Sequence, residues 1–158
     1  MYEIRPAREE DELFAHRLTR SNMEAYVARY WGGWDEDIFA RNYRLRENLI
    51  LWTDDNPIGY VALTWSEACV RIEDLQIQAA YQRQGIGTWI LGSIERLAVE
   101  RNVSNLEVRV FHDNPAGRLY RRLGFTSHAR DENTETLRKM AEPASAPYSE
   151  PAARSPQG

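Results

Sequence analysis

Hydrophobic and polar residues change their spacing several times along the chain, and each change marks a new element. Short apolar runs bounded by turn residues predict strands, whereas apolar residues three or four positions apart predict helices. Turn-forming residues separate the runs, as in the Asp-Asn-Pro sequence that ends at Pro57. The pattern predicts strands at Tyr2–Arg5, Leu49–Trp52, Ile58–Trp65, Cys69–Ile77, Leu106–Phe111, Phe125–Arg130 and Thr134–Met140.

Helical spacing appears first in the N-terminal third of the chain. One helix begins near Leu13, after a run of acidic residues that suits the positive end of a helix dipole, and its pattern reaches Tyr30. The polar pair Ser21–Asn22 leaves open whether this helix is interrupted. Paired glycines then break the pattern, and a second helix is predicted from the cap residue Asp35 to about Arg46.

Two further helices are predicted in the second half of the chain. Isoleucines at helical spacing begin at Ile86 and predict a helix that ends near Arg101. The last helix has Asn114 as its N-cap and Pro115 at its first position, which are favourable residues for those places. Gly124 suits the position just past its end.

The predicted elements follow the order β-α-α-β-β-β-α-β-α-β-β. A helix joins the fourth and fifth strands, so these two strands should be parallel neighbours with a right-handed crossover. The other strand pairs are expected to be linked by hairpins. The order therefore predicts an α/β (α+β) fold, in which about four helices flank both faces of a mixed sheet of about seven strands.

Length and charge narrow the functions that this fold could serve. The chain has 158 residues, the usual size of one domain, and its formal net charge is −4. A negative balance argues against a nucleic-acid binder that relies on a positive field. The 20 basic residues are 19 arginines and a single lysine, Lys139.

Neither a metal site nor a membrane segment is indicated. Cys69 is the single cysteine, which excludes a disulfide framework and a zinc site built on cysteine pairs. The 3 histidines lack the spacing of metal ligands. Apolar runs stay well short of the roughly 18 residues of a membrane span, and the N-terminus does not resemble a signal peptide. We therefore expect a cytoplasmic protein without a metal.

Composition changes near the C-terminus. Residues 141–158 consist mostly of alanine, proline and serine, and they contain more than half of the 7 prolines. Such a segment cannot bury a hydrophobic face, so we expect a disordered tail. The folded domain is then predicted to span residues 1–140.

Gly85 and Gly87 lie in the segment Gln82–Thr88, between a predicted strand and a predicted helix. Backbone N–H groups and the helix dipole at such a helix start suit a phosphate or pyrophosphate. A Walker loop is excluded because Gly-Lys-Ser/Thr is absent. A dinucleotide fingerprint is excluded because position 90, where it requires a third glycine, is Ile90. A helix entry with two turn glycines and no ligand remains the alternative at this point.

Two motifs resemble those of the GNAT superfamily of acyl-CoA-dependent N-acetyltransferases. The first, Gln/Arg-x-x-Gly-x-Gly/Ala between the fourth strand and the third helix, is matched by Gln82, Gly85 and Gly87. The second, Asn…Ala…Tyr-x-x-x-Gly-Phe after the fifth strand, is matched by Asn114, Ala116, Tyr120, Gly124 and Phe125. The predicted strand order agrees with that of the family, and the resemblance covers residues 2–140.

The resemblance implies acetyl-CoA as co-substrate, held where strands four and five splay apart and the pantetheine arm inserts like an extra strand. Leu75, Gln76 and Ile77 would pair with that arm through their backbone. The pyrophosphate loop would comprise Gln82, Arg83, Gln84, Gly85, Ile86, Gly87 and Thr88. Asn114 would lie near the pantetheine, and Tyr120 near the thioester. The coenzyme's phosphates could be bound by Arg118, Arg121 or Arg122, or these arginines could simply be solvated surface residues.

The resemblance also implies catalytic roles. Tyr120 would protonate the leaving thiolate as a general acid, or its ring could simply pack on the sheet. Glu73 would take the proton of the incoming ammonium, because strand alternation lets only one of Glu73 and Asp74 face the cleft. The Glu-Asp pair resembles the polyamine-acetylating branch, where the first acid is implicated. One alternative is that Glu73 only forms a structural salt bridge. In that case Asp74, His112 or water would be the base.

Aromatic and acidic residues meet in the loop between the first two predicted helices. We expect a cationic amine to bind there through cation–π contacts and ion pairs. The residues expected to bind it are Tyr30, Trp31, Trp34 and Asp35, together with Glu73. The alternative is a turn whose tryptophans fold into the core. We therefore expect an N-acetyltransferase acting on an amine-bearing small molecule or peptide, with a homodimer as one arrangement. The alternative function is a CoA-binding regulatory or interaction module without transfer activity.

Overall fold

Seven β-strands and four α-helices form the part of the chain that the structure, a computed structural model, describes: residues 1–143 and Pro151. The strands are β1 (Tyr2–Pro6), β2 (Glu47–Thr53), β3 (Asn56–Trp65), β4 (Cys69–Ile77), β5 (Asn105–Phe111), β6 (Thr126–Arg130) and β7 (Thr134–Met140). The helices are α1 (Glu12–Trp31), α2 (Glu36–Leu45), α3 (Ile86–Glu100) and α4 (Ala116–Arg122). Within these residues, no helix combines the length and the apolar character needed to cross a membrane.

Each predicted strand and helix is present, with ends that differ by a few residues. Helix α1 runs without a break through Ser21 and Asn22, so the interruption left open by the sequence does not occur. The Asn22 amide group donates from Nδ2 to Gln76 Oε1 at 3.1 Å and to the Ile77 carbonyl at 3.2 Å. Because β4 satisfies this side chain, Asn22 does not compete for the hydrogen bonds of its own helix.

The strands form a mixed sheet in the order β1-β2-β3-β4-β5-β7-β6. β4 and β5 are parallel, as predicted, with Arg71 opposite Glu107 in the register. β1 pairs with β2, and β5 with β7, in antiparallel fashion. In the sequence, α1 and α2 lie between β1 and β2, whereas α4 and β6 lie between β5 and β7. The expectation that all strand pairs other than β4 and β5 are linked by hairpins is therefore wrong for these two pairs. In the sheet, β7 lies between β5 and β6.

The chain divides into two compact units. Unit 1 includes residues 1–64 and 74–82, and the described part of unit 2 includes residues 65–73, 83–143 and Pro151. β4 thus contributes its first part to unit 2 and its last part to unit 1.

In unit 1, helices α1 and α2 pack against β2 and β3. The buried cluster consists of Ala15, Leu18, Phe39, Ile50, Tyr60 and Ala62. The Tyr60 hydroxyl donates to Asn48 Oδ1 at 2.7 Å, which satisfies the one polar atom that this ring brings into the core. Burial raises the pKa of Tyr60, so the hydroxyl stays protonated and remains a donor.

In unit 2, two consecutive residues of β7 show which face α3 covers. Lys139 Nζ lies 2.8 Å from Oε1 of Glu95 on α3, whereas Arg138 Nη2 donates at 2.7 Å to Oε2 of Glu107 on β5. Neighbouring side chains of a strand point to opposite faces. Helix α3 therefore lies on the Lys139 face, and the pair formed by Arg138 and Glu107 lies on the other face.

The last strand, β7, ends at Met140, and a domain boundary at this residue stays a prediction. Just beyond it, the Ala141 N–H donates to the Ser104 carbonyl at 2.8 Å. Residues 144–150 and 152–158 lie outside the described residues, and so does most of the segment for which disorder is predicted.

Candidate active site

The parallel ladder between β4 and β5 stops before either strand ends. Its last pair is Ile72 with Val108, whereas β4 continues to Ile77 and β5 to Phe111. Glu73 is therefore the first residue of β4 beyond the ladder. The predicted catalytic acid and the three predicted pantetheine-pairing residues all lie in this continuation of β4.

In unit 1, the backbone of β4 alternates between two edges. The Gln76 carbonyl oxygen lies 3.1 Å from the position that a Cβ on Gly59 would take, so it faces β3. The backbone groups of Leu75 and Ile77 face the opposite edge, because consecutive residues of a strand alternate. The Ile77 carbonyl also accepts from Gln82 Nε2 at 2.9 Å. Because Asn22 also donates to it, the Ile77 carbonyl has both lone pairs in use. The arrangement therefore favours Leu75 and the N–H of Ile77 over Gln76 for backbone pairing with a ligand.

Asp74 is held in a polar network of unit 1. Its Oδ2 accepts from Arg46 Nη1 at 3.2 Å and its Oδ1 from Gln76 Nε2 at 3.1 Å. The Arg46 and Asp74 side chains are only 18% and 15% exposed. A carboxylate paired in this way serves the structure, which favours Glu73 over Asp74 as the acid that meets an amine.

The glycine loop has two residues in the left-handed backbone conformation just before α3. Arg83 and Gly85 both have positive φ, 60° and 81°. A left-handed conformation costs a non-glycine residue about 1–2 kcal/mol, and strain of this kind is often found at ligand sites. Gly85 is the N-cap of α3 and has no side chain to cover its first turn. The exposed residues Arg83 and Gly85 therefore lie beside a helix start suited to an anion.

The second motif positions a cap and an aromatic pair in unit 2. Asn114 Oδ1 accepts from the Ala116 N–H at 3.0 Å and so caps the start of α4, as predicted. The Tyr120 side chain is buried, and its ring meets the Phe125 ring edge-on with centroids 5.6 Å apart. The Phe125 N–H donates to the Tyr120 carbonyl at 3.0 Å. Packing on Phe125 is thus one role of Tyr120, and its acid role remains a prediction.

Glu107 lies between two arginines on the face of unit 2 opposite α3. Arg71 donates to Glu107 Oε1 from Nε at 3.0 Å and from Nη2 at 2.5 Å, while Arg138 binds the other oxygen. Burial alone would raise the pKa of Glu107, but the hydrogen bonds from Arg138 and Arg71 outweigh it and hold that pKa below its ordinary value. The Glu73 carboxylate is close enough to Arg71 to raise the pKa of the guanidinium, after the larger effect of Glu107.

The aromatic side chains of the loop predicted to bind the acceptor lie in different surroundings. Trp34 packs against the core of unit 1, and its Nε1–H donates to His16 Nε2 at 3.1 Å. Trp31 ends α1 with its side chain 51% exposed, and the Arg29 guanidinium lies 5.8 Å from the centre of the Tyr30 ring. Trp34 therefore fits the alternative in which the tryptophans of this turn fold into the core, whereas Trp31 is accessible to solvent.

Asp35 has a clear structural role in the same loop. Its Oδ1 accepts from the Asp37 N–H at 2.9 Å and from the Ile38 N–H at 3.3 Å, which caps α2 as predicted. A role in acceptor binding would add to this cap, since only one carboxylate oxygen is used by it.

The remaining candidates have structural partners. The His112 ring donates from Nε2 to the Asp131 carbonyl at 3.0 Å, which ties it to the turn between β6 and β7. Burial raises the pKa of the Cys69 thiol, which suits a packed residue better than a nucleophile. Arg121 forms an ion pair with Glu135, and Arg118 and Arg122 are exposed like Arg121 itself. No cluster of metal-ligating side chains occurs among the described residues.

Sequence reasoning missed the partners that fix these residues. The sequence pattern marks Arg46 only as the end of a helix, and Glu107 only as part of a strand. Alternation in the strands could have placed Arg71 and Glu107 on one face, once β4 and β5 were taken as parallel neighbours. No local signal links Arg46 to Asp74, because the two residues lie 28 positions apart.

Solved structures of similar fold include the ribosomal-protein-S18-alanine N-acetyltransferase from Escherichia coli. It is 20% identical, with a TM-score of 0.72 over 93% of this chain and 98% of that one. PaiA N-acetyltransferase from Thermoplasma acidophilum, solved in complex with coenzyme A, is 19% identical, with a TM-score of 0.70 over 89% and 99% of the two chains. A GNAT family acetyltransferase from Elizabethkingia anophelis with acetyl-CoA bound is 14% identical, with a TM-score of 0.66 over 88% and 97%.

At these identities the structural likeness establishes a shared fold. The sequence itself matches the model of the Acetyltransferase (GNAT) family over residues 7–125, which is most of the chain. That match contains the glycine loop and the motif that ends at Phe125. The resemblance seen in the two sequence motifs is therefore confirmed, and this chain belongs to the Acetyltransferase (GNAT) family.

Proposed function

We propose that this protein transfers an acetyl group from acetyl-CoA to a primary amine by direct attack of the amine on the thioester. The observation that carries the proposal is the early end of the parallel ladder at Ile72 and Val108. It leaves the last residues of β4 outside that ladder, and a glycine loop that opens α3 follows them in the sequence. An extended strand edge suits pantetheine, and a helix start of this kind suits a pyrophosphate. Membership of an acetyltransferase family supports the same reaction.

The coenzyme fits the chemistry of the loop. The first turn of α3 offers backbone N–H groups without a capping side chain, and left-handed Arg83 and Gly85 precede it. These donors, from Gln84 to Thr88, would hold the pyrophosphate, while the backbone of Leu75 and Ile77 would pair with the amides of pantetheine. Coenzyme A and acetyl-CoA are bound in two of the similar structures.

Two side chains would handle protons. Glu73 would accept the proton that an ammonium must lose before its nitrogen can attack, directly or through water. Tyr120 would donate its phenolic proton to the thiolate sulfur as the C–S bond breaks, and the second proton lost by the attacking nitrogen would restore the phenol. Backbone N–H groups of β4 beyond the ladder would stabilise the oxyanion that forms at the thioester carbon. The amine and the thioester react while both are bound, which removes the entropy of their encounter.

The acceptor would be an amine that is cationic before it reacts, on a small molecule or a peptide. Tyr30 and Trp31 offer aromatic faces at the end of α1, and Asp35 has one carboxylate oxygen outside its helix cap. An ammonium group is attracted both to aromatic faces and to carboxylates. A cytoplasmic location and a homodimer remain predictions of the sequence.

A panel of amines, each incubated with acetyl-CoA and the protein, tests the proposal by the release of free thiol. Thiol release that depends on both the protein and a particular amine is the expected result. Binding of acetyl-CoA without release on any acceptor would instead support a CoA-binding module, in which Tyr120 only packs against Phe125.

A further inference from the structure

Polar side chains link α1 to the end of β4 within unit 1. Asn22 of α1 donates from Nδ2 to Gln76 Oε1 at 3.1 Å and to the Ile77 carbonyl at 3.2 Å. Gln76 in turn donates from Nε2 to Asp74 Oδ1 at 3.1 Å. Because Gln76 is buried, its amide group must be satisfied by partners within the protein. Asn22, Gln76 and Asp74 therefore form one chain of hydrogen bonds.

The carboxylate at one end of this chain fixes the direction of its hydrogen bonds. Asp74 forms an ion pair with Arg46 at 3.2 Å, and an ionised carboxylate can only accept. Gln76 must therefore turn its NH2 group to Asp74 and its oxygen to Asn22. Asn22 must then donate, and the second hydrogen of its NH2 group reaches the Ile77 carbonyl. The two amide groups thus have one orientation that satisfies every partner.

The peptide group between Ile77 and Gln78 is held on both sides. The Ile77 carbonyl accepts from Asn22 and, at 2.9 Å, from Gln82 Nε2, which occupies both of its lone pairs. On the other side, the Gln78 N–H donates to the Ile58 carbonyl at 2.9 Å. A peptide group is planar, so contacts at both of its ends fix the direction of the Ile77 backbone.

Asn22 is not a residue that α1 itself favours. It lies in the middle of a helix of 20 residues that runs from Glu12 to Trp31. Asparagine is a weaker helix former than alanine, because its amide group competes for backbone hydrogen bonds in other conformations. The contacts with β4, and not the needs of the helix, therefore account for an asparagine at this position.

We infer that Asn22 is a positioning residue for the coenzyme, which holds Ile77 in the orientation that presents its N–H to pantetheine. This inference rests on the proposed function and adds a residue outside both sequence motifs. Since Asn22 and Gln82 fill the Ile77 carbonyl, pantetheine meets Ile77 through an amide oxygen that accepts from the N–H. Asn22 acts through Ile77 on coenzyme affinity and takes no part in the proton transfers.

Coenzyme A and its nucleotide half, which lacks pantetheine, test this inference by isothermal titration calorimetry. Asn22→Ala removes both donors and improves helix propensity, so α1 should still form. The Kd of this variant for coenzyme A is expected to rise about 10-fold, because the contact between Ile77 and pantetheine is weakened. The Kd for the nucleotide half should stay that of the wild type. A merely structural role would change the affinity for both ligands alike.

Asn22→Asp makes the same test sharper. The variant keeps the size of the side chain but sets a carboxylate oxygen against two acceptor oxygens, those of Gln76 and Ile77. Its Kd for coenzyme A should therefore rise more than that of Asn22→Ala, again without a change for the nucleotide half. If Asn22→Asp does not fold, Asn22→Ala decides the question.

Kinetics with acetyl-CoA separates positioning from catalysis. Both Asn22 variants are expected to raise KM for acetyl-CoA and to change kcat little at saturating coenzyme. Tyr60→Phe is the control, because it removes a hydrogen bond to Asn48 from the core of the same unit and should change neither Kd nor KM. A lower kcat at unchanged KM, or the same change in the control, would overturn the inference.

The inference and the proposed function fail in different ways. If the wild type does not bind coenzyme A, both fail. If the wild type binds coenzyme A and both Asn22 variants bind it equally well, the inference alone is overturned. A loss of affinity that the nucleotide half shares also overturns the inference alone.

Discussion

Lys139 Nζ lies 2.8 Å from Glu95 Oε1, and this ion pair joins β7 to α3 inside unit 2. The two side chains are only 13% and 5% exposed, so the single lysine of the chain is committed to structure. Removal of one partner leaves a buried charge without compensation, which costs far more than a surface pair contributes.

Lys139→Met is expected to lower the free energy of unfolding by about 3–5 kcal/mol. Urea denaturation followed by circular dichroism measures this loss. The double variant Lys139→Met with Glu95→Leu serves as the control, because removal of both charges should restore most of the stability. A single variant within about 1 kcal/mol of the wild type would show that the pair is effectively solvated.

Glu107 should make stability depend on pH. Hydrogen bonds from Arg138 and Arg71 hold its pKa below the ordinary value. A carboxylate whose pKa is depressed by folding contributes stability above the unfolded-state pKa of about 4.3 and loses it as pH falls through the folded pKa. The stability difference between the wild type and Glu107→Gln should therefore shrink as pH falls from about 7 towards 3. Denaturation curves across this range measure it, and a constant difference would contradict the pairing.

Gly85→Glu should abolish coenzyme A binding, measured by isothermal titration calorimetry. The new side chain would bring bulk and negative charge to the helix start proposed for the pyrophosphate, at a backbone φ of 81°. Gly32→Glu is a matched control, because Gly32 has a φ of 84° and lies outside the glycine loop. Tight binding by the Gly85 variant would show that the pyrophosphate binds elsewhere. Equal loss in both variants would show that backbone strain, and not contact with the pyrophosphate, causes the loss.

Glu73 and Asp74 should respond differently to loss of charge. Glu73→Gln is expected to lower kcat by a factor on the order of 10²–10⁴, the usual contribution of general-base catalysis, and to remove the basic group from the pH–rate profile. Asp74→Asn breaks the pair with Arg46 and should mainly lower stability. Kinetics and denaturation of both variants separate the two roles. A kinetic defect confined to Asp74→Asn would reverse the assignment.

Tyr120→Phe should lower kcat by a factor on the order of 10² or more and change KM for acetyl-CoA little. The substitution keeps the ring that packs on Phe125, so the variant should fold like the wild type. Steady-state kinetics measures the effect, and circular dichroism checks the fold. An unchanged kcat would leave packing as the whole role of Tyr120.

Periodicity and turn residues predicted the elements of this fold because those signals are local. The order of β5, β7 and β6 could not be derived, since β5 and β7 pair across an intervening helix and strand. Asn22 looked like a possible helix break because its partners, Gln76 and Ile77, lie in a distant strand. Trp34 likewise turns into the core through a hydrogen bond to His16, which local spacing does not reveal.

The glycine loop and the cap at Asn114 could be predicted as positions, because both depend on short motifs. Their electrostatic surroundings could not be predicted in the same way. The pairing of Asp74 with Arg46, and of Glu107 with Arg71 and Arg138, arises only when separate elements pack together. These pairs decide which acids are left for chemistry.

The proposed function requires that an acetyl group moves from acetyl-CoA to an amine. Mass spectrometry of the acceptors after incubation with acetyl-CoA and the protein detects this transfer. The expected result is an amine that gains one acetyl group in amounts equal to the thiol released, and loss of both signals in Gly85→Glu. Tight binding of acetyl-CoA by the wild type, with no acetylated amine anywhere in the panel, would contradict it.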